Sequence, residues 1–548
     1  MHSTLAIPEA FNPEETAALA PYFGNGEEPI FVLTNLPETV KGALFARYSR
    51  SAKSLRRLFL DEFHDGVEGG AEAAGAGPGR ERAERLYRRV FDQYGDDSVA
   101  QLGGAHIACE GVSNILTKVL ERGRLMSYLE QSTRYVPYTD RPGGRWKYVV
   151  PAELEDDADR RAFETTLDRA FETYARWIEP LQEYFRARYP QAATDSDAVY
   201  RAVIRAKALD TLRGLLPAAT RSNVGIYGSG QAYEMLLLRM RAHPLAEARE
   251  VAGLMLRELR RVIPAFLQRV DRPDRGVRWS DYLGARERET RALASELADA
   301  HADDPRDEVT LTEFDPDGEI KVVAAALYPA SELPFDRLVG VARGMTTEGR
   351  IRVLQTYAGN RENRRHRPGR AFEHASYTFD VLSDYGAFRD LQRHRMLTLD
   401  WQDLTTRHGC APPSAPVEDV GALADWKRMM DASAELHERL ARRHSPAVAQ
   451  YAVAMAYHIR FYMRLNAREA MHVIELRTSP QGHPAYRRVC QRMHRLIADQ
   501  AGHRAIAAAM TFADHSAVEL ERLASERAID RSRATRHADA AVDPETLR

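Results

Sequence analysis

At 548 residues the chain is too long for a single hydrophobic core and suits two or more domains. A hydrophobic content of 44%, a charged content of 28% and a formal net charge of −2 describe an ordinary globular protein with no global attraction to a nucleic acid polymer or an anionic membrane. Cys109, Cys410 and Cys490 form neither a disulfide framework nor a metal-ligand spacing, so no metal site is expected and the cytoplasm is the default compartment.

In chain order, Met1 to Pro21 lacks a basic region followed by an apolar core, and no run of about 18 apolar residues occurs anywhere, so neither secretion nor membrane spanning is expected. Gly66 to Gly79, rich in Gly and Ala, reads as a mobile loop. Arg122-Gly123-Arg124 precedes Leu125 to Tyr135, and the helix predicted over Ala158 to Tyr189 precedes Arg213-Gly214-Leu215-Leu216-Pro217. Gly228 to Arg239 and a helix over Ala246 to Ile263 follow. Arg286 to Asp304 looks like an exposed helix, with Glu287, Leu293, Leu297 and Ala300 at helical spacing and a stop at Asp303-Asp304-Pro305. Beta-branched residues in Val309–Phe314 and Glu319–Ala325 flank Asp315-Pro316-Asp317-Gly318 and predict a hairpin.

A strand is predicted over Glu373 to Val381. Its alternation puts His374, Ser376, Thr378 and Asp380 on a polar face and Ala375, Tyr377, Phe379 and Val381 on a packing face. After Arg393-His394-Arg395 and a helix over Ala422 to Arg442 comes the helix Asn466 to Arg477. There Arg468, His472 and Glu475 share one stripe, and Asn466 and Arg477 the opposite one. Such a helix packs between partners, and its charges need counter-charges or an anionic ligand. The segment from Ser525 to Arg548 reads as a frayed tail.

Two of these segments occur twice. Arg393-His394-Arg395 has a damaged copy in Arg122-Gly123-Arg124, 271 positions earlier (393 − 122). Gly228 to Arg239 aligns without gaps on Asn466 to Arg477 at an offset of 238 (477 − 239), so the first copy carries an insertion between its motifs.

The Arg-His-Arg segment, the Phe372 to Phe379 strand, the Asn466-Ala467-Arg468 to Glu475-Leu476-Arg477 helix and Arg213 to Pro217 together resemble the flavin-dependent thymidylate synthases, over both halves of the chain. The resemblance implies an α+β fold of two tandem repeats, each a small antiparallel sheet with a helix-rich body. The expected boundaries are residues 1–290 for the first repeat, 291–307 for a linker, 308–524 for the second repeat and 525–548 for the tail. It implies FAD as cofactor, held by His374, Thr378, Arg393, His394, Arg395, Asn466, Arg468 and His472, with Arg477 or Arg239 facing the pyrimidine base as catalytic residues. It also implies that Ser127, Glu130, Gln131, Ser132, Arg134 and Tyr135 bind the nucleotide. Arginine is the apt residue type, because its fork-shaped donors match phosphate oxygens. The other partners open to these arginines are acids such as Glu475, Asp390 and Asp400.

The two copies have lost complementary parts. The second has Thr398, Trp401, Gln402, Asp403, Thr405 and Thr406 where the first has its nucleotide residues. The first has Gly103, Gly123, Gly228, Gly230 and Glu234 at the places of His374, His394, Asn466, Arg468 and His472, which predicts a relaxed pocket or space vacated for something larger. Since family members are homotetramers with sites shared between subunits, the fusion is expected to build one composite site and to form a homodimer, a pseudo-tetramer. The implied activity is FAD-dependent reductive methylation of deoxyuridine monophosphate (dUMP) to thymidylate, with methylenetetrahydrofolate and NADPH as co-substrates and no protein nucleophile. The alternatives are a repurposed fused paralogue that binds flavin or a pyrimidine nucleotide without that activity, and a purely structural α+β protein.

Overall fold

The computed structural model describes residues 9–25, 31–48, 53–64, 101–193, 195–298 and 306–516. The Gly66 to Gly79 loop, the stop at Asp303 to Pro305 and the tail from Ser525 lie outside the described residues.

Each half of the chain runs strand, short helix, strand, long excursion, strand, helix. In the first half these are β1 (Gly104–Ser113), the helix Asn114–Leu120, β2 (Met126–Glu130), β3 (Arg221–Ser229) and the helix Gly230–Ala242. In the second, after β4 (Val309–Phe314), they are β5 (Ser376–Asp384), the helix Tyr385–Leu391, β6 (Thr398–Trp401), β7 (His458–Asn466) and the helix Ala467–Arg477. The strand orders are β1-β3-β2 and β4-β5-β7-β6, so in both halves the third strand of the set lies between the other two. The duplication read from Arg-x-Arg is therefore a duplication of topology. The insertion lies between β2 and β3, where the helices Asp157–Arg188 and Asp197–Leu212 are found.

The chain forms two compact units: Met1–Glu110, Val119–Glu130 and Asn223–Ala302 in the first, and Gly111–Lys118, Gln131–Ser222 and Asp303–Arg548 in the second. The excursion of the first half thus belongs to the same unit as the second half's sheet.

Side-chain caps start each functional helix at a strand end. Ser229 Oγ accepts from Ala232 N at 3.3 Å, Asp384 Oδ1 from Ala387 N at 2.9 Å, and Asn466 Oδ1 from Glu469 N at 2.9 Å. β5 pairs antiparallel with β7 from Ser376↔Asn466 to Asp384↔His458. Its Tyr377, Phe379 and Val381 are buried with Ile459, Phe461, Met463 and Leu465 of β7, which is the packing face that the alternation predicts.

Two expectations need correction. Glu319–Ala325 is no strand: Gly318–Leu327 is a helix, and β4 pairs instead with β5. The Asp315-Pro316-Asp317-Gly318 turn closes with Gly318 N on Asp315 O and leads into an alanine-rich run whose Val322, Val323 and Ala324 are buried together, so alanine's helix propensity and burial override the β-branched pattern. His374 ends the 3-10 helix Arg370–His374, and the strand begins at Ser376. The predicted helices are otherwise found within a residue or two, as Asp157–Arg188, Ala246–Val262 and Leu423–Arg443, while Arg286 lies inside the helix Arg278–Ala298. Among the described residues no helix is long and apolar enough to cross a membrane.

Candidate active site

Four arginines of the second unit converge on one carboxylate. The helix Tyr385–Leu391 carries Asp390 near its end, and the following turn carries Arg393, which forms an ion pair with it. The helix Ala467–Arg477 delivers Arg477, whose Nη1 lies 3.5 Å from Asp390 Oδ1. At the end of the helix Asp197–Leu212, Arg213 places Nη1 3.7 Å from Asp390 Oδ2. Arg134 is fixed by a turn in which Ser132 Oγ accepts its backbone N–H. Its Nε lies 2.8 Å from both oxygens of Asp210, and its Nη2 donates to Gln481 O at 3.3 Å. Burial raises the Asp390 pKa, and the guanidiniums of Arg393, Arg477, Arg213 and Arg134 outweigh it, holding the carboxyl well below its usual range. Asp384, also within range of Arg213, is pushed toward its neutral form by burial.

The charge count decides what the cage can hold. Four guanidiniums face the carboxylates of Asp390 and Asp210, with that of Asp384 also within range of Arg213, while burial holds the neighbouring imidazoles of His394 and His483 neutral. The guanidiniums outnumber the carboxylates where Arg213 is 4% and Asp390 8% exposed. That excess of positive charge favours an anion such as a phosphate monoester.

Beside the cage, His394, Glu469 and His472 bring their ligand-type atoms within 4.8 Å of one another. Arg477 Nε donates to His394 Nε2 at 2.9 Å, so the neutral ring carries its proton on Nδ1, which faces Glu469 Oε1 at 3.7 Å. A metal would need that nitrogen's lone pair, and it would also face the positive charges of Arg364, Arg367, Arg395 and Arg468. The group suits hydrogen bonding better than metal ligation. Burial lowers the His472 pKa to about 4, against the opposing pull of Glu469, and burial raises the Glu469 pKa.

The remaining second-repeat residues are placed as follows. His374 stacks on Phe335 with ring centroids 5.2 Å apart. Thr378 Oγ1 donates to Glu313 Oε2 at 3.0 Å. Arg468 donates from Nε to Pro368 O at 3.0 Å, and its Nη1 lies 3.2 Å from Glu373 Oε1. Asn466 spends its Oδ1 on the helix cap, and Arg395 is exposed. Glu475, one of the acids open to the motif arginines, is buried and pairs with Arg361.

The first repeat's residues divide between the units. Gln131, Ser132, Arg134 and Tyr135 belong to the second, with Tyr135 exposed. Ser127 and Glu130 lie on β2 of the first, opposite Tyr227 and Val224. Arg239, also of the first unit, has its pKa lowered by burial and by the nearby Arg122.

The glycines at the lost cofactor positions leave no vacant space. A Cβ on Gly103 would come within 2.5 Å of Phe266 Cε2, and one on Gly230 within 2.5 Å of Phe266 Cβ. A Cβ on Gly123 would come within 2.6 Å of Tyr128 Oη, and Glu234 is tied to Arg269 at 2.7 Å. The Phe266 side chain fills the room at Gly103 and Gly230, and Met126 and Tyr128 fill that at Gly123 and Gly228, which corrects the expectation of a relaxed pocket.

Sequence reading missed the counter-ions. Asp390 entered only as a possible ion partner, while Asp210 and Glu469 did not enter at all. Asp390 stands three residues before Arg393 across the end of its helix, a local signal; Asp210 lies 76 residues from Arg134, and no local pattern announces it.

The fold and the arginine-rich site define a class, and the comparisons agree with it. The family model described as "Thymidylate synthase complementing protein" matches residues 43–265 and 310–501, so the chain belongs to that family. It is similar to a UPF0159 protein of Chlamydia muridarum, 39% identical over 94% of this chain and 98% of the relative, and to one of Thermoplasma acidophilum, 29% identical over 89% and 97%. It is also 32% identical to a flavin-dependent thymidylate synthase of Mycobacterium bovis, over 33% of this chain and 66% of that protein.

Proposed function

We propose that the protein is an FAD-dependent enzyme acting on a pyrimidine nucleoside monophosphate, in first place the reductive methylation of dUMP to thymidylate with methylenetetrahydrofolate and NADPH. The observation that carries this reading is the cage in which guanidiniums outnumber carboxylates, which draws Arg134 and Arg213 from the first repeat and Arg393 and Arg477 from the second. The phosphate seats there by charge-assisted hydrogen bonds, which fixes the base relative to Arg477. Arg477 already donates to His394, so its guanidinium is held in place and can polarise a base carbonyl without reorganising.

The fit for a flavin dinucleotide rests on Arg364, Arg367, Arg395 and Arg468, all within electrostatic range of Glu469 or His472. Such a group suits a pyrophosphate, while the neutral His394 and His472 can offer hydrogen bonds to a ring. Bound flavin supplies the redox step. The chain's part is to hold, orient and polarise. Burial keeps Cys109 and Cys490 as thiols, with pKa values pushed up to about 11 and about 12, which agrees with a reaction needing no protein nucleophile.

One observation favours the repurposed paralogue. Asp390 places a carboxylate inside the cage, where it competes with a phosphate for the same donors. Tritium release from 5-tritiated dUMP by the flavin-loaded chain, with methylenetetrahydrofolate and NADPH, separates the two. Release supports thymidylate synthesis, and nucleotide binding without release supports the paralogue.

A further inference from the structure

The first repeat keeps the register equivalents of two cage arginines but not the groups that engage them. Arg122 stands for Arg393, Gly123 for His394 and Val119 for Asp390, all at the offset of 271, while Arg239 stands for Arg477 at the offset of 238. In the second repeat Arg477 is held by His394 at 2.9 Å and faces Asp390 at 3.5 Å. Neither register position can do this in the first. The Val119 side chain has no polar atom, and a Cβ on Gly123 would already come within 2.6 Å of Tyr128 Oη, which donates to Gly123 O at 3.0 Å.

Arg239 is therefore left without a counter-ion. It is half-buried in the last turn of the helix Gly230–Ala242 and makes no hydrogen bond or ion pair among the described residues. None of its nitrogens is among the sealed, unsatisfied atoms of the interior, so a ligand can reach them. The ionisable side chains that act on it are Arg122 and Tyr128, neither of them an acid at neutral pH; burial, and then Arg122, lowers its pKa. The helix's own C-terminal carbonyls compensate a cation there only in part, and a guanidinium fork is better matched by an oxyanion. Nothing beside it suits a flavin. Gly103 and Gly230, at the places of His374 and Arg468, lie against Phe266, and a Cβ on Gly228, at the place of Asn466, would come within 2.6 Å of Met126 Cε. What the first repeat retains is positive charge without the side chains that would grip a dinucleotide.

We propose that Arg122 and Arg239 form a second anion site, within the first unit, that takes a phosphate group, either free or carried by a small phosphorylated molecule, and works without flavin. Arg134, Arg213, Arg393 and Arg477 all belong to the other compact unit, and the site shares no residue with their cage. It stands or falls apart from the activity proposed above.

The test is arginine modification of the full chain by phenylglyoxal, with the label on each arginine read by peptide mass spectrometry. The competitors are inorganic phosphate, dUMP and uncharged deoxyuridine, with sodium chloride at matched ionic strength as the control. Arg239 should react in the free chain, and phosphate and dUMP should each protect Arg239 and Arg122 saturably. A lower half-protecting concentration for dUMP marks a phosphate ester as the ligand, and an equal or higher one marks free phosphate. Protection of Arg239 should persist in Arg393→Ala, which weakens the cage. In Arg239→Gln, Arg122 should need at least about tenfold more phosphate for protection, since a charge-assisted contact is gone. No reaction of Arg239 in the free chain, or no protection by phosphate and dUMP, would overturn the proposal. Equal protection by chloride or deoxyuridine would also overturn it, because screening or the base alone would then account for the signal. So would loss of protection in Arg393→Ala, which would put the anion in the cage.

Discussion

Asp390 is the residue whose removal is most informative, because it is at once the cage's internal counter-ion and a phosphate's competitor. Asp390→Asn removes one of the carboxylates that face the four guanidiniums. It should cost stability on the order of 2 kcal/mol, less than a fully buried pair because Arg393 is partly exposed. The same change should tighten dUMP binding by about tenfold, since the cage then holds one negative charge fewer. Weaker nucleotide binding in a folded Asp390→Asn protein would remove the phosphate from the cage. The cofactor side has its own test. Arg395→Ala and Arg468→Ala should each lower bound flavin, read by absorbance, and Arg124→Ala should lower it less; equal loss in all three would place the flavin without regard to the repeats. These arginines were legible because two short motifs recur in order. The acids that set their electrostatics were not, since Asp210 meets Arg134 only through the fold.

The histidines beside the cage give a pH dependence whose sign follows from their burial. His472 titrates at about 4 when folded, below its ordinary value near 6.5. The unfolded chain therefore binds more protons between those values, and stability falls as pH drops from about 6.5 to about 4. His394 and His483, whose pKa values are also lowered by burial, act in the same direction. His472→Gln should flatten the fall in melting temperature over that window, as followed by calorimetry at fixed ionic strength. An unchanged slope would mean that His472 is already protonated near pH 6.5.

At the scale of elements, the helices Asp157–Arg188 and Leu423–Arg443 are tied by Asp159. It accepts from Arg439 Nε and Arg443 Nε at 2.7 Å and lies 2.9 Å from His444 Nε2. Its pKa is about 2: burial raises it, and the bonds from Arg443, Arg439 and His444 together prevail. Because that is a depressed carboxylate, its contribution is complete above the unfolded value near 4 and is lost as pH falls toward about 2. Asp159→Asn should lower the melting temperature at pH 7, with the difference from wild type shrinking below pH 3. A constant difference down to pH 2 would contradict the tie. In the first unit, Gly103→Ala should be destabilised by about 1–3 kcal/mol through overpacking on Phe266, yet keep its flavin.

The elements also show where periodicity carries a reading and where it fails. The helix Asp157–Arg188 was found almost to the residue because its amphipathic pattern is long. Val322 and Val323 suggested a strand because a β-branched residue reports burial as much as backbone state, and both are buried in a helix. Phe266 had no sequence signal at all: what fills a space left by glycines is decided by packing between distant segments.

For the whole molecule, the duplication explains how one chain brings arginines of both repeats to one carboxylate. The excursion of the first repeat joins the second repeat's compact unit and carries Arg134, Asp210 and Arg213 with it. If the fused halves stand for two family subunits, light scattering should report a homodimer of the 548-residue chain. A monomer with full nucleotide affinity would instead make the cage self-sufficient. Isothermal calorimetry of dUMP with the full chain tests most directly whether arginines from both repeats hold one nucleotide phosphate. Arg134→Ala and Arg393→Ala should each weaken binding by about tenfold or more, and the double variant should lose less than the sum of the two. Affinity that responds to only one of the two repeats, or to neither, would contradict it.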